Sequence, residues 1–144
     1  MPPLYLFIVL VVTSYLVGVM APVRRWAGWP VVVAGCLIVL GGLALSAVGS
    51  RKFAVVGTNT LPFEDPTVLV TTGLYSRTRN PMYLGFLVTL IGTAVAVGSP
   101  AAFVGPLVFF LIIDRWNIPF EEGRLHAVFG KAYDGYVRRV RRWL

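Results

Sequence analysis

Pro81–Ile113 reads PMYLGFLVTLIGTAVAVGSPAAFVGPLVFFLII, 33 residues without a charge. An α-helix rises about 1.5 Å per residue and a bilayer's hydrocarbon core is about 30 Å thick, so this run is too long for one ordinary crossing. Gly98-Ser99-Pro100 interrupts it near the middle. Glycine and proline punctuate helices, so the stretch predicts a hairpin of two helices, 81–97 and 101–117. Pro81 suits the first turn of a helix, where its missing N–H costs nothing.

Working outward, two more uncharged runs precede the hairpin. Leu4–Ala21 predicts a first span, 4–21, ended by Pro22, Arg24 and Arg25, with Trp26 and Trp29 at belt depth. The start Met-Pro-Pro-Leu-Tyr lacks the positive region of a cleaved signal, which makes this a retained helix. The second uncharged run, Trp26–Ser50, predicts a span at 28–48; it carries Gly35, Gly41, Gly42 and Gly49, small enough for close helix packing, and is stopped by Arg51 and Lys52. The connection 51–80 holds Gly57-Thr58-Asn59-Thr60, Pro62 and Glu64-Asp65-Pro66, which are loop signals. Within it, Val68-Leu69-Val70 reads as a short segment resting on the membrane surface. In the tail, 119–144, Leu125, Val128, Phe129, Ala132, Tyr133, Tyr136, Val137 and Val140 recur at helical spacing among arginines. That pattern predicts a basic amphipathic helix in the interface, weakened or bent at Gly130 and Gly135. The fold expected is an all-α integral membrane protein, one domain over 1–144. It has about four transmembrane helices, a helical hairpin and a C-terminal amphipathic interfacial helix.

Composition agrees with that class. Of 144 residues, 57% are hydrophobic and only 13% charged. One cysteine, Cys36, and one histidine, His126, exclude an intrachain disulfide and argue against a metal site. Cys36 is expected to pack within a helix. The net charge of +7 fits headgroup contact and topology better than nucleic-acid binding. Eleven Lys and Arg residues fall on the side of the 51–80 connection and the tail, against Arg24 and Arg25 on the other. The positive-inside rule places the former in the cytoplasm, of a plasma or inner membrane.

The polar residues on that side gather at helix ends. Tyr75, Arg77, Arg79, Asn80 and Tyr83 open the third helix; Asp114, Arg115, Glu121 and Glu122 close the fourth. A hairpin sets those ends side by side. There is no glycine-rich phosphate loop, no Ser/His/Asp set and no metal-ligand spacing. Carboxylates suit a ribose diol or an amine, arginines a carboxylate, and aromatic faces a sulfonium or an adenine. These needs meet in S-adenosylmethionine, although composition does not force that choice. Singly, each group has a plainer use: arginines and tyrosines as interface anchors, glutamates at the start of a helix.

Gly73-Leu74-Tyr75-Ser76-Arg77-Thr78-Arg79-Asn80-Pro81-Met82-Tyr83-Leu84-Gly85 resembles the signature of the isoprenylcysteine carboxyl methyltransferase and phospholipid methyltransferase superfamily. Glu121-Glu122, Leu125, Phe129-Gly130, Tyr133, Tyr136 and Arg142-Trp143 resemble its second signature, in the right order. The resemblance covers about residues 51–144 and implies an integral membrane enzyme with S-adenosyl-L-methionine in a cytosol-facing pocket and an acceptor arriving from the bilayer. Carried over by position, it implies Tyr75, Arg79, Asn80, Pro81, Met82, Tyr83, Leu84, Gly85, Glu121 and Glu122 as cofactor-binding residues. Glu121 becomes the catalytic candidate, with Arg115 as the nearest arginine before the glutamate pair. Many relatives carry histidine at the position of Asn80; asparagine binds but cannot shuttle a proton near neutral pH.

The activity so implied is methyl transfer to a lipophilic acceptor: an isoprenylcysteine-like carboxylate, a phospholipid amine or a similar amphiphile. The partners expected are that lipid and the bilayer, with no nucleic acid. In-line displacement would be promoted by holding the nucleophile near the methyl in a water-poor site. A carboxylate acceptor needs no base, whereas an amine or thiol would lose a proton to Glu121 or Glu122. Two alternatives remain at this level. One is an NADPH-dependent membrane reductase of the related fold, although no separate dinucleotide signature is present. The other is a non-enzymatic four-helix membrane protein.

Overall fold

The computed structural model describes residues 3–21, 28–56 and 68–144. The described residues form α1 (Pro3–Met20), α2 (Trp29–Val56), a 3-10 turn (Gly73–Ser76) and α3 (Pro81–Val97). A second 3-10 turn (Pro100–Phe103) leads into α4 (Val104–Ile112). A π-helical turn (Ile113–Asn117) then joins α5 (Ile118–Phe129), and α6 (Lys131–Val137) follows. The loop signals at 57–67 and the residues Pro22, Arg24, Arg25 and Trp26 lie outside the described residues.

The protein is an all-α integral membrane protein. Three helices are long and apolar enough to cross a bilayer: Pro3–Met20, Trp29–Arg51 and the continuous run Pro100–Phe129. The fourth apolar helix, Pro81–Val97, has 17 residues, the lower limit of about 17 for a crossing. Its start has Pro81 in the first turn, and it stops at Gly98, whose φ of 67° is left-handed.

Small residues set the helix spacing. A Cβ on Gly85 of α3 would lie 2.6 Å from both Gly42 O and Ser46 N of α2. The two backbones therefore touch, which recovers dispersion contacts that lipid cannot outcompete. On the other side, α1 and α4 cross where Ser14, fully buried, sits under Gly105. Between these crossings Phe7, Phe86 and Phe109 interlock, with Phe7 stacked on Phe86 at 4.3 Å and Phe109 edge-on to both. Leu90, Ile113 and Ile118 complete a core with no exposed surface. Their burial joins α1, α3, α4 and α5 into one unit.

The structure differs from the sequence reading in four places. First, α2 does not stop before Arg51 but runs to Val56. The two charges end the apolar stretch, and nothing in Arg51–Val56 breaks a helix. Second, α4 and the tail are not separate at residue 117. The helix continues to Phe129 because Ile118 N–H reaches back five residues to Ile113 O, and the widened turn accommodates Pro119.

Third, the tail is not one amphipathic helix. Gly130, with φ 49°, breaks it into α5 and α6. Val128 is already exposed before the break; after it, Tyr133, Tyr136 and Val140 are buried, while Ala132 and Val137 are exposed. Leu69 packs on that buried trio with Leu125 and Phe129, so it serves the protein's own core instead of the membrane surface. Fourth, Cys36 lies within a helix, α2, but its side chain is exposed instead of packed.

Candidate functional site

The polar site forms where the first turn of α3, the α4–α5 helix and the last residues of the chain meet. The chain after α6 turns and lays Val140–Trp143 beside Thr78–Asn80. Arg79 N–H donates to Arg141 O at 3.0 Å, and residues 78 and 141 form an isolated parallel bridge. Thr78 Oγ1 and Asn80 Nδ2 both donate to Arg142 O, at 3.2 and 3.0 Å. Asn80 N–H in turn donates to Thr78 Oγ1 at 3.2 Å. The 3-10 turn is fastened from below, where Tyr136 OH donates to Tyr75 O at 2.7 Å.

Two carboxylates stand on neighbouring positions with different partners. Tyr83 OH donates to Glu121 Oε1 at 2.5 Å, and the Asn117 amide lies within reach of the same hydroxyl. Glu122 instead takes two arginines. Arg79 NH1 sits 3.1 Å from Oε1, and Arg142 forks onto both oxygens at 3.3 and 2.7 Å. Arg142 also reaches Asp114 Oδ1 at 3.3 Å, where Trp143 Nε1 donates at 2.9 Å. Tyr133 is buried beside Arg79, and its hydroxyl is within reach of that guanidinium.

The electrostatics follow from burial and pairing. Burial pushes the phenols of Tyr75 and Tyr133 up, and that of Tyr136 up to about 12, so all three stay neutral hydrogen-bonding groups at physiological pH. The Glu122 hydrogen bond raises Arg142 further above its already high value, with Asp114 adding to it. One donor is left over: Arg79 Nε is buried and has no partner among the described residues. A buried guanidinium N–H without a hydrogen-bond partner carries a desolvation cost that an acceptor would relieve.

The structure sorts the sequence candidates. Tyr75, Arg79, Asn80, Tyr83, Glu121 and Glu122 gather in the cluster. Pro81 is fully buried, and it and Met82 lie against α2 where a Cβ on Gly49 would touch both. Gly85 also faces α2, and Leu84 is half-buried with no side-chain bond. These four shape the entry of α3 instead of presenting polar groups. Arg115 is exposed and bonds none of the carboxylates. The arginine that holds the acids is Arg142, which sequence spacing alone could not bring across from the chain's end. Thr78 and Asn117 carry no signal of their own in the sequence, and Asp114 stands there among the polar residues at the helix end without a role in binding or catalysis. The one signal for Arg142 and Trp143 was their place in the second signature.

A separate cleft of about 510 Å³ opens among α1, α2 and α3, lined by Tyr15, Val39, Thr93 and Val97 among others. It lies towards the far end of α3 from Tyr83 and contains neither carboxylate nor arginine.

Residues 30–132 match the family model described as phospholipid methyltransferase. A probable protein-S-isoprenylcysteine O-methyltransferase from Oryza sativa subsp. indica is 34% identical over 111 residues, 69% of this chain and 56% of that protein. The protein-S-isoprenylcysteine O-methyltransferase of Saccharomyces cerevisiae is 33% identical over 116 residues, 75% of this chain and 46% of that protein. An uncharacterized Haemophilus influenzae protein is 38% identical over 63 residues, 44% of this chain and all of its own length. The chain spans about half the length of the curated methyltransferases it matches.

Proposed function

The chain belongs to the phospholipid methyltransferase family, and from that premise we propose that it transfers a methyl group from S-adenosylmethionine to a lipophilic acceptor at the cytoplasmic face of the membrane. The observation that carries this reading is the meeting of Arg79, just before α3, Tyr83 of α3, and Glu121 and Glu122 of α5 in one half-buried polar cluster at the end of apolar spans. The relatives named for methylation of isoprenylcysteine make a prenylated carboxylate the first acceptor to try.

The residues present fit such a donor. Arg79, with its unpartnered buried Nε, would hold the donor's carboxylate. Glu121 and Glu122 would take ribose hydroxyls or the ammonium, and the rings of Tyr75 and Tyr83 offer faces for a cation. When bound, the donor supplies an electrophilic methyl group. The protein's own part is orientation and exclusion of water: Tyr83 fixes one oxygen of Glu121, while Arg79 and Arg142 fix Glu122. For an amine or thiol acceptor, Glu121 would accept the proton, since Glu122 is held by Arg79 and Arg142.

Calorimetric titration of the detergent-purified protein with S-adenosylhomocysteine tests this. Saturable heat is expected; absence of heat together with absence of a thermal shift would remove the donor assignment. NADPH binding in its place would favour a reductase.

A further inference from the structure

The least expected feature of the site is that one arginine at the chain's end spans two carboxylates eight positions apart, Asp114 and Glu122. In an ideal α-helix eight residues advance about 800°, which leaves the two side chains about 80° apart around the axis. The π-helical turn Ile113–Asn117 lies almost wholly between them. A π turn absorbs one extra residue, so the same eight steps advance about 700° and bring both acids to within about 20° of one face. Pro119 is the local cause, because it cannot donate the N–H that a regular helix needs there. The irregular turn therefore acts as a phasing device for Asp114 and Glu122.

Building on the donor assignment above, we propose that Arg142 is a positioning residue for the methyl donor, anchored by Asp114, and that Val140–Trp143 forms a wall of the donor site. The geometry gives the two acids separate jobs. Glu122 is the group that faces Arg79 and the orphaned Nε, so it belongs to the ligand side. Among the described residues, the Asp114 carboxylate is hydrogen-bonded by the side chains of Arg142 and Trp143, both in the terminal ribbon. Its charge holds Arg142 NH1, which aims the remaining edge of the guanidinium at both oxygens of Glu122. Fork geometry makes this a task for arginine; a lysine would meet one acid at a time. The ribbon's other fastenings, from Arg79 N–H, Thr78 and Asn80, tie the same wall to the first turn of α3. Asn80 thereby acts through the ribbon, as the residue that holds the Arg142 carbonyl.

The test measures two quantities on the full chain in lipid nanodiscs: hydrogen exchange at the Arg79 amide, and affinity for S-adenosylhomocysteine. Asp114→Ala is expected to speed exchange at Arg79 and to weaken binding about tenfold, with the global melting temperature within 2 °C of wild type. Asp114→Glu should restore most of the affinity, and Arg142→Lys should resemble Asp114→Ala. With a competent acceptor, the loss should fall on the donor's KM, with kcat at saturating donor changed less than twofold. Arg138→Ala, which removes an exposed tail arginine, is the control and should change nothing.

Faster exchange with unchanged affinity would overturn the proposal, since the ribbon would then be structure without a role in the site. Unchanged exchange would overturn it too, because Asp114 would not be the anchor. If Asp114→Ala does not fold, Arg142→Lys decides by the same two readings. A wild-type protein that fails to bind S-adenosylhomocysteine removes the donor reading and the clamp's part in it. Wild-type binding with indifferent variants removes only the clamp.

Discussion

Tyr83 and Glu121, 38 positions apart, meet through a 2.5 Å hydrogen bond that ties the first turn of α3 to the first turn of α5. The phenol is the donor and the carboxylate the acceptor. Because Glu122 carries the arginines, this hydroxyl is what orients Glu121. Tyr83→Phe keeps the ring and deletes that bond. A hydrogen bond to a charged group contributes about 1.5–3 kcal/mol, so S-adenosylhomocysteine affinity or kcat/KM should fall roughly tenfold or more. Calorimetry on wild type and variant side by side checks this; equal affinities and equal rates would show that Glu121 needs no orientation.

The two arginines flanking the helices should behave oppositely. Arg79 is half-buried, bonds Glu122 and carries the unpartnered Nε. Arg79→Ala removes the group proposed to hold the methyl donor's carboxylate and should lower donor affinity by at least about tenfold. Arg115 is exposed and bonds none of the carboxylates, so Arg115→Ala should leave affinity within about twofold. A donor-analogue titration of both variants checks the contrast. If Arg115→Ala proves the more damaging, the exposed arginine and not Arg79 contributes to donor binding.

That contrast shows where the sequence runs out. Apolar length and uncharged composition are local properties, so a chain of membrane helices is readable from residues 4–113 directly. The two polar stretches are also visible, because polar groups at the ends of spans stand out against their surroundings. Which arginine meets which acid is not local. It depends on Gly130 turning the tail through a positive φ and on the π turn rephasing Asp114 against Glu122. Both shift the face on which later residues lie, and a periodicity count that assumes an unbroken 3.6 repeat cannot register either. The same count places Val128 and Val137 on a buried face, whereas both are exposed. Arg115 is favoured by proximity along the chain, while Arg142 reaches the acids only after the tail has folded back.

The α2–α3 contact should govern stability without touching the polar cluster. Gly85 leaves no room for a side chain against Gly42 and Ser46. Gly85→Val forces the helices apart, and overpacking of this kind costs about 1–3 kcal/mol. The thermal midpoint in detergent should drop by several degrees. Ligand affinity should fall less than in Tyr83→Phe, because Gly85 faces α2 while the Tyr83 hydroxyl bonds Glu121 of α5. A variant as stable as wild type would show that α2 is not held this closely.

The last prediction concerns alkaline pH and the fastening of the tail. Tyr136 OH donates to Tyr75 O, and burial raises its pKa to about 12, against about 10 for a tyrosine in an unfolded chain. A folded pKa above the unfolded one means the folded state holds the proton more tightly. The stabilisation is then complete below about pH 10 and is lost as pH rises through about 12. Ionisation also removes the donated proton, so the bond to Tyr75 O is lost in the same step. Stability should be flat with respect to this group from pH 8 to pH 10 and should decline above that. Hydrogen exchange in residues 131–143, followed alongside phenolate absorbance, measures the release. Tyr136→Phe lacks both the proton and the bond, so its tail should be looser at pH 8 and should show a smaller further change towards pH 12. If Tyr136→Phe matches the wild type at both ends of the range, the bond to Tyr75 O does not fasten the tail, which is then held by its bonds to Thr78, Arg79, Asn80, Asp114 and Glu122.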